Sequence, residues 1–283
     1  MIRKTTSMLL PLLAVICLAA CQPGAAVQTA EPPSVEQIID STVKALESVT
    51  TFEFEASMTM TMSGEVEGEP VDASMDSQMA GMVDVTSEEM KMDMDVVMNV
   101  PGEGEILAGM EMYFISDTMY ALTEVPALGG LSMWVKSELP PGTREQMAQV
   151  EDQVDLLAIS EVTLAGTENV EGTDCYLLEL TTDPDRLWEL VEQRMSTAGT
   201  EPPGLKEELF IREMVRSYSV RQWVEIDTYL LRKAEVHMEM ETEGTAVDIT
   251  MVLLARNHGQ PVSIELPPEA ENAIELPANQ IFQ

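Results

Sequence analysis

Apolar and polar residues recur along this chain with a period that changes from one segment to the next. Within 34–49, Val35, Ile38, Ile39, Thr42, Leu46 and Val49 keep the spacing of one helical face, and Ser34 with Gln37 makes a capping-box pair. This predicts an amphipathic helix over 34–48. The period then becomes two. Phe52, Phe54, Ala56, Met58, Met60 and Met62 alternate with Glu53, Glu55, Ser57, Thr59 and Thr61, the pattern of a strand with one dry face and one wet face. The stretch 64–70 reads as an acidic turn. Alternation resumes with Met75, Met79, Val83 and Val85, and again where Met90, Met92, Met94, Val96 and Met98 face away from Glu89, Lys91, Asp93 and Asp95.

Further short strands are predicted at 111–115, 118–123 and 133–136, with Pro and Gly clusters between them. Residues 142–159 read as a helix. Segments 162–164 and 175–181 form a hairpin around Asn169-Val170-Glu171-Gly172. Asp183-Pro184 opens another helix, with Leu187, Leu190, Val191 and Met195 on its apolar face, and 205–215 makes a further one. Strands return at 219–226, 230–241 and 247–255, with a last one near 262–266. Consecutive strands joined by tight turns favour an antiparallel meander over a parallel sheet. The expectation is α+β: one long antiparallel sheet with helices packed on it, in a single domain over 34–283.

The N-terminus obeys a different logic. Arg3 and Lys4 precede an apolar run over 8–18, too short to span a bilayer, which ends in Leu18-Ala19-Ala20-Cys21. That tetrapeptide matches the bacterial lipobox. Residues 1–20 are therefore expected to be a lipoprotein signal peptide, Cys21 the lipidated first residue of the mature chain, and 21–33 a tether. Two or three acyl chains on Cys21 would give stable membrane anchoring where one is marginal. Of the three cysteines only Cys175 then keeps a free thiol. It sits in an apolar strand-like run, so a buried, inert sulfur is expected.

Three later patches look familiar: the run from Leu164 through Asn169-Val170-Glu171-Gly172 to Tyr176, then Trp223-Val224-Glu225-Ile226-Asp227-Thr228-Tyr229-Leu230, then His258-Gly259-Gln260-Pro261-Val262. With the lipobox and the early helix-then-strand, the chain resembles the LolA/LppX-like lipoproteins. The resemblance implies a single strongly curved antiparallel sheet, a half-barrel, with helices across its concave face. It also implies an apolar cleft for lipid or lipid-modified cargo. It brings no catalytic residue.

Charge and composition narrow the function. Fifty Asp and Glu against 15 Lys and Arg leave a net charge of −35, which repels phosphate backbones and excludes nucleic acid as the main partner. Only two histidines are present, without a nucleophile elbow, an H-E-x-x-H motif or a phosphate-binding glycine loop. No catalytic residue, cofactor or metal ligand is assigned, and an enzyme is not expected. The 22 methionines are the unusual feature. Flexible and polarizable, they suit either an adaptable ligand-facing wall or an ordinary core short of aromatics. Phe52, Phe54, Met58, Met60, Met62, Met90, Met92 and Met94 are the candidate cleft residues. The expected function is a membrane-anchored, extracytoplasmic lipoprotein that binds a lipid or another hydrophobic molecule without covalent chemistry and hands it on. The alternative is a structural or sensory envelope domain with a closed core and a protein partner. A minor alternative is Cu(I) held by thioethers, with His237 adding an imidazole.

Overall fold

In the computed structural model the described residues are 32–66, 69–102, 104–125, 131–139, 156–183, 185–186, 189, 215–242 and 244–276. The helical spacing yields α1 (Val35–Leu46), with Ile38, Thr42 and Leu46 buried one turn apart, Glu36 in its first turn and Lys44 in its last. Both charges complement the helix dipole. The two-residue alternation yields strands β1 (Thr51–Val66), β2 (Glu69–Asp84), β3 (Glu89–Val100), β4 (Gly104–Ile115), β5 (Thr118–Val125) and β6 (Leu131–Glu138). After a helical turn at 156–159 come β7 (Ser160–Val170), β8 (Thr173–Thr182), β9 (Val215–Glu225), β10 (Leu231–Thr242) and β11 (Thr245–Arg256). A 3-10 helix (Pro268–Asn272) leads to the two-residue β12 (Ile274–Glu275).

All twelve strands join one open sheet in the order β12-β6-β5-β4-β3-β2-β1-β11-β10-β9-β8-β7. Each half is a meander, β1 to β6 and β7 to β11; most consecutive strands are joined by short turns, while 183–214 separates β8 from β9. The halves meet where β1 pairs β11, from Glu53↔Arg256 to Ser63↔Ala246. Twisted open sheets of this size curl instead of lying flat. The sheet is mixed and not purely antiparallel, because β12 pairs β6 in parallel through Ile274↔Val135 and Glu275↔Lys136. A chain returning from β11 by way of 257–273 reaches that edge travelling in the direction of β6.

Other expectations are revised in detail. The 64–70 turn shrinks, since pairing continues to Val66↔Glu69. β4 starts seven residues before the predicted 111, because Ile106 and Ala108 pair with Met98 and Val96. Residues 262–266 alternate in burial but form no strand; Pro261, Pro267 and Pro268 flank them and cannot donate to a ladder. Of the helix opened by Asp183-Pro184, residues 185, 186 and 189 are described and helical, and Asp183 Oδ1 accepts the Asp185 N–H at 2.8 Å as an N-cap does; the helices expected over 142–155 and 205–214 lie outside the described residues, so helices across a concave face are not established. Among the described residues, α1, the 156–159 turn and the 3-10 helix Pro268–Asn272 lie against the sheet.

Two turns form as their residues require. Glu171 (φ 51°) and Gly172 (φ 91°) both take positive φ between β7 and β8, and Asn169 Oδ1 accepts the Gly172 N–H at 2.8 Å. Between β9 and β10, Tyr229 adopts φ 59° and donates its N–H to the Glu225 carbonyl at 2.9 Å.

The principal core lies where α1 meets the β7–β9 end of the sheet. Ile38 and Leu157 pack there against Tyr176, Leu178, Leu180, Val220 and Val224. A smaller cluster of Val170, Cys175, Leu177 and Trp223 lies on the opposite face. Cys175 is fully buried, as expected, and burial together with the nearby Glu225 charge pushes its thiol pKa up to about 11.

Candidate functional site

The face that α1 covers is called inner here. Strand register carries it across the sheet: Leu180 opposes Val220, Val220 opposes Val236, Val236 opposes Met251, Met251 opposes Met58, Met58 opposes Ser77, Ser77 opposes Val96 and Val96 opposes Ala108. Directly opposed residues project to the same side, so this is one continuous row. The next row places Ala56, Met79, Met94, Met110, Thr123 and Met133 side by side. A third carries Phe54, Gly81, Met92, Met112, Ala121 and Val135. Phe54 lies over Gly81, where an added Cβ would sit 2.6 Å from the ring.

All eight candidate cleft residues therefore occupy this one face: Phe52, Phe54, Met58, Met60 and Met62 on β1, Met90, Met92 and Met94 on β3. Each is half-buried. Cover is uneven along the row, from Leu180 and Val220 sealed beneath α1 to half-exposed methionines beyond β10.

Charge separates the faces completely over this region. From Val71 to Val83 on β2, Met90 to Val100 on β3, Ile106 to Phe114 on β4 and Val247 to Ala255 on β11, inner positions carry no ionisable group among the described residues. The same holds for Phe52 to Met62 on β1 and Ala234 to Met240 on β10. The acids and bases of these strands project outward, where the bases find carboxylate partners. Lys91 reaches Asp93 at 3.3 Å and Glu111 at 3.5 Å. Arg221 pairs with Glu235, and Arg256 bridges Glu55 and Glu171. Hydrogen bonds from Lys233 and Arg221 hold the Glu235 carboxyl below its usual range against the opposing effect of burial.

Sequence reasoning missed two polar features. Ser77, 1% exposed, sits among the inner-face methionines with its hydroxyl unpartnered. Its place in the β2 alternation was legible, but the burial comes from neighbours contributed by β1 and β3. On the outer face, His237, Glu239 and Asp248 bring their ligand atoms within 4.8 Å of one another. His237 projects from the opposite face to Met238 and Met240, so imidazole and thioethers do not converge on one copper ion. Cys21 and the signal segment lie outside the described residues. No helix among the described residues is long and apolar enough to cross a membrane.

Fold and faces together define an open-sheet α+β protein with one uncharged, methionine-lined surface and one acidic surface. The chain belongs to the family described as "Family of unknown function (DUF6612)", which it matches over residues 34–274. A comparison with curated proteins finds no match. Among solved structures the chain is similar to the Mycobacterium tuberculosis lipoprotein LppX, at 12% identity over 82% of this chain and 100% of that one, with a TM-score of 0.38. It is similar to LprF from Mycobacterium bovis, at 16% identity over 83% and 98% of the two chains, with a TM-score of 0.41. A LolA superfamily protein from Nitrosomonas europaea is similar at 12% identity over 83% and 96%, with a TM-score of 0.22. LppX and the LolA superfamily, which the sequence resembles, thus recur among the solved structures to which the chain is similar.

Proposed function

We propose that this protein is an extracytoplasmic lipoprotein, anchored through acyl chains on Cys21, that holds a lipid or another hydrophobic molecule against its inner face. The observation that carries this reading is the uncharged, half-buried surface running across β10, β11 and β1 to β4. A sealed core would bury these methionines as fully as α1 buries Leu180. A surface evolved only for water would not keep every charge on the other side. Methionine side chains re-pack around acyl chains of differing shape at small cost. Binding is non-covalent and release is by hand-off, in keeping with inner positions of β10, β11 and β1 to β4 that carry no ionisable group among the described residues. The tetrapeptide Leu18-Ala19-Ala20-Cys21 supports the anchor at Cys21 and, with it, a place outside the cytoplasm. In this reading 1–20 is removed, 21–33 is the tether and 34–283 is the working domain.

The test is binding of N-phenyl-1-naphthylamine, an uncharged fluorescent probe, to delipidated protein, with native mass spectrometry of the protein as purified. Saturable fluorescence enhancement and co-purified lipid mass are expected. Absence of both would overturn the reading in favour of a structural domain whose inner face meets a protein.

A further inference from the structure

The outer face holds a second arrangement, independent of the apolar surface. Glu239 on β10 and Asp248 on β11 are direct cross-strand partners. Two like charges in that position repel each other unless a cation lies between them. His237, two residues before Glu239, projects to the same side and places Nε2 3.6 Å from Glu239 Oε1 and 3.6 Å from Asp248 Oδ2. The bases on the neighbouring strand have carboxylates of their own, Arg216 with Glu241 and Arg221 with Glu235.

From these residues we infer that His237, Glu239 and Asp248 form a binding site for a divalent transition-metal ion of the zinc type. Three observations converge on it. The separations of 3.6 Å exceed the roughly 2.7–2.9 Å of a charge-assisted hydrogen bond. They lie close to the edge of a zinc tetrahedron, about 3.3 Å for bonds of about 2.0–2.1 Å, and all three ligand atoms lie within 4.8 Å of one another, so an ion fits once the exposed carboxylates close on it. Two of the three ligands are also oriented from behind. Thr250 Oγ1 lies 3.3 Å from His237 Nδ1, placed to accept its proton in the tautomer that a metal ion on Nε2 would select. Ser217 Oγ donates to Glu239 Oε2 at 2.9 Å and turns Oε1 toward the imidazole. The donor set of one imidazole and two carboxylates suits zinc, cobalt(II) and nickel(II) over calcium or magnesium, which prefer all-oxygen shells. The three side chains are 43%, 55% and 47% exposed, so the remaining coordination position opens to solvent and the ion enters without any rearrangement of the sheet.

The experiment uses the purified full chain, Co²⁺ as a visible-absorbing probe and Zn²⁺ as competitor. One saturable Co²⁺ equivalent is expected, with d–d absorption bleached by Zn²⁺ and unaffected by excess Mg²⁺. His237→Ala should weaken binding at least tenfold, and Asp248→Asn should do likewise. Thr250→Val keeps the shape of the side chain but removes the acceptor behind the imidazole, and should cost on the order of tenfold. Asp93→Asn with Asp95→Asn, on the outer face of β3, should change nothing; circular dichroism of every variant checks the fold. Absence of saturable Co²⁺ binding would overturn the site. Binding that survives His237→Ala, or that the β3 variant reduces equally, would overturn it too, since either result describes diffuse attraction to an acidic surface. Loss of probe binding at the inner face would leave these outcomes untouched.

Discussion

Two residues show how burial leads in setting chemistry in this protein. Cys175 is sealed in the cluster with Trp223, and its thiol, with a pKa of about 11, stays protonated at neutral pH. Only the thiolate reacts, so labelling by Ellman's reagent should be slow in the native protein and fast in denaturant. Equal rates in the two states would contradict the burial. His258 is stacked beside Phe52, with ring centroids 6.3 Å apart. Burial lowers its pKa, opposed by the Glu225 charge and reinforced by Arg232. The folded protein therefore resists a proton that the unfolded chain accepts near its ordinary value of about 6.5. Below that value the unfolded state binds more protons, so this contribution to stability is complete above it and declines as pH falls toward the depressed native value. His258→Gln should flatten the dependence of the urea midpoint on pH between about 7 and about 5.5 relative to the native sequence. An unchanged slope would show that His258 is solvated.

At the level of elements, the inner face of β1 and β3 can be interrogated by exchanging its methionines. Replacing Met60, Met92 and Met94 by Leu conserves apolarity and nearly conserves volume, a change that typically costs below about 1.5 kcal/mol in a packed setting. Folding and probe binding should both persist, with a narrower range of accepted ligands because Leu adapts less than Met. Asp at the same positions brings charge to an uncharged surface and should abolish probe binding, as fluorescence titration will report. Retention of binding by the Asp variant would place the ligand elsewhere. The alternation that exposed this face was legible because β1 and β3 each keep one side wet. The β7–β8 hairpin was legible through Asn169 and Gly172, whose turn geometry is local. The start of β4 was not, since Leu107 and Gly109 interrupt its polar side. Residues 262–266 misled because Val262, Ile264 and Leu266 alternate as a strand does while lacking a ladder partner. For the outer-face triad, His237 and Glu239 stood two apart in plain view. Asp248 joins them only through the β10–β11 register, which the Thr242↔Thr245 pair at the turn sets.

At the scale of the whole molecule stand the proposed anchor and the long-range seam. If Cys21 carries the acyl chains, Cys21→Ser should move the protein from the membrane fraction to the soluble fraction or leave it unprocessed, and intact-mass measurement of the native protein should show the lipid. A mature chain without acyl mass would contradict the lipobox reading. The seam between β1 and β11 has a consequence for assembly in time. The first strand made sits in the middle of the finished sheet, and the contact of Arg256 with Glu55 spans 201 positions. Neither meander can acquire its central neighbour until nearly the whole chain has emerged. Closure of so long a loop is entropically late, and topologies dominated by distant pairings fold slowly. A nascent chain ending before β11 carries β1 with one side of its backbone unsatisfied, an adhesive edge for any similar strand. Such a sequence is suited to travelling unfolded and completing its structure only after release.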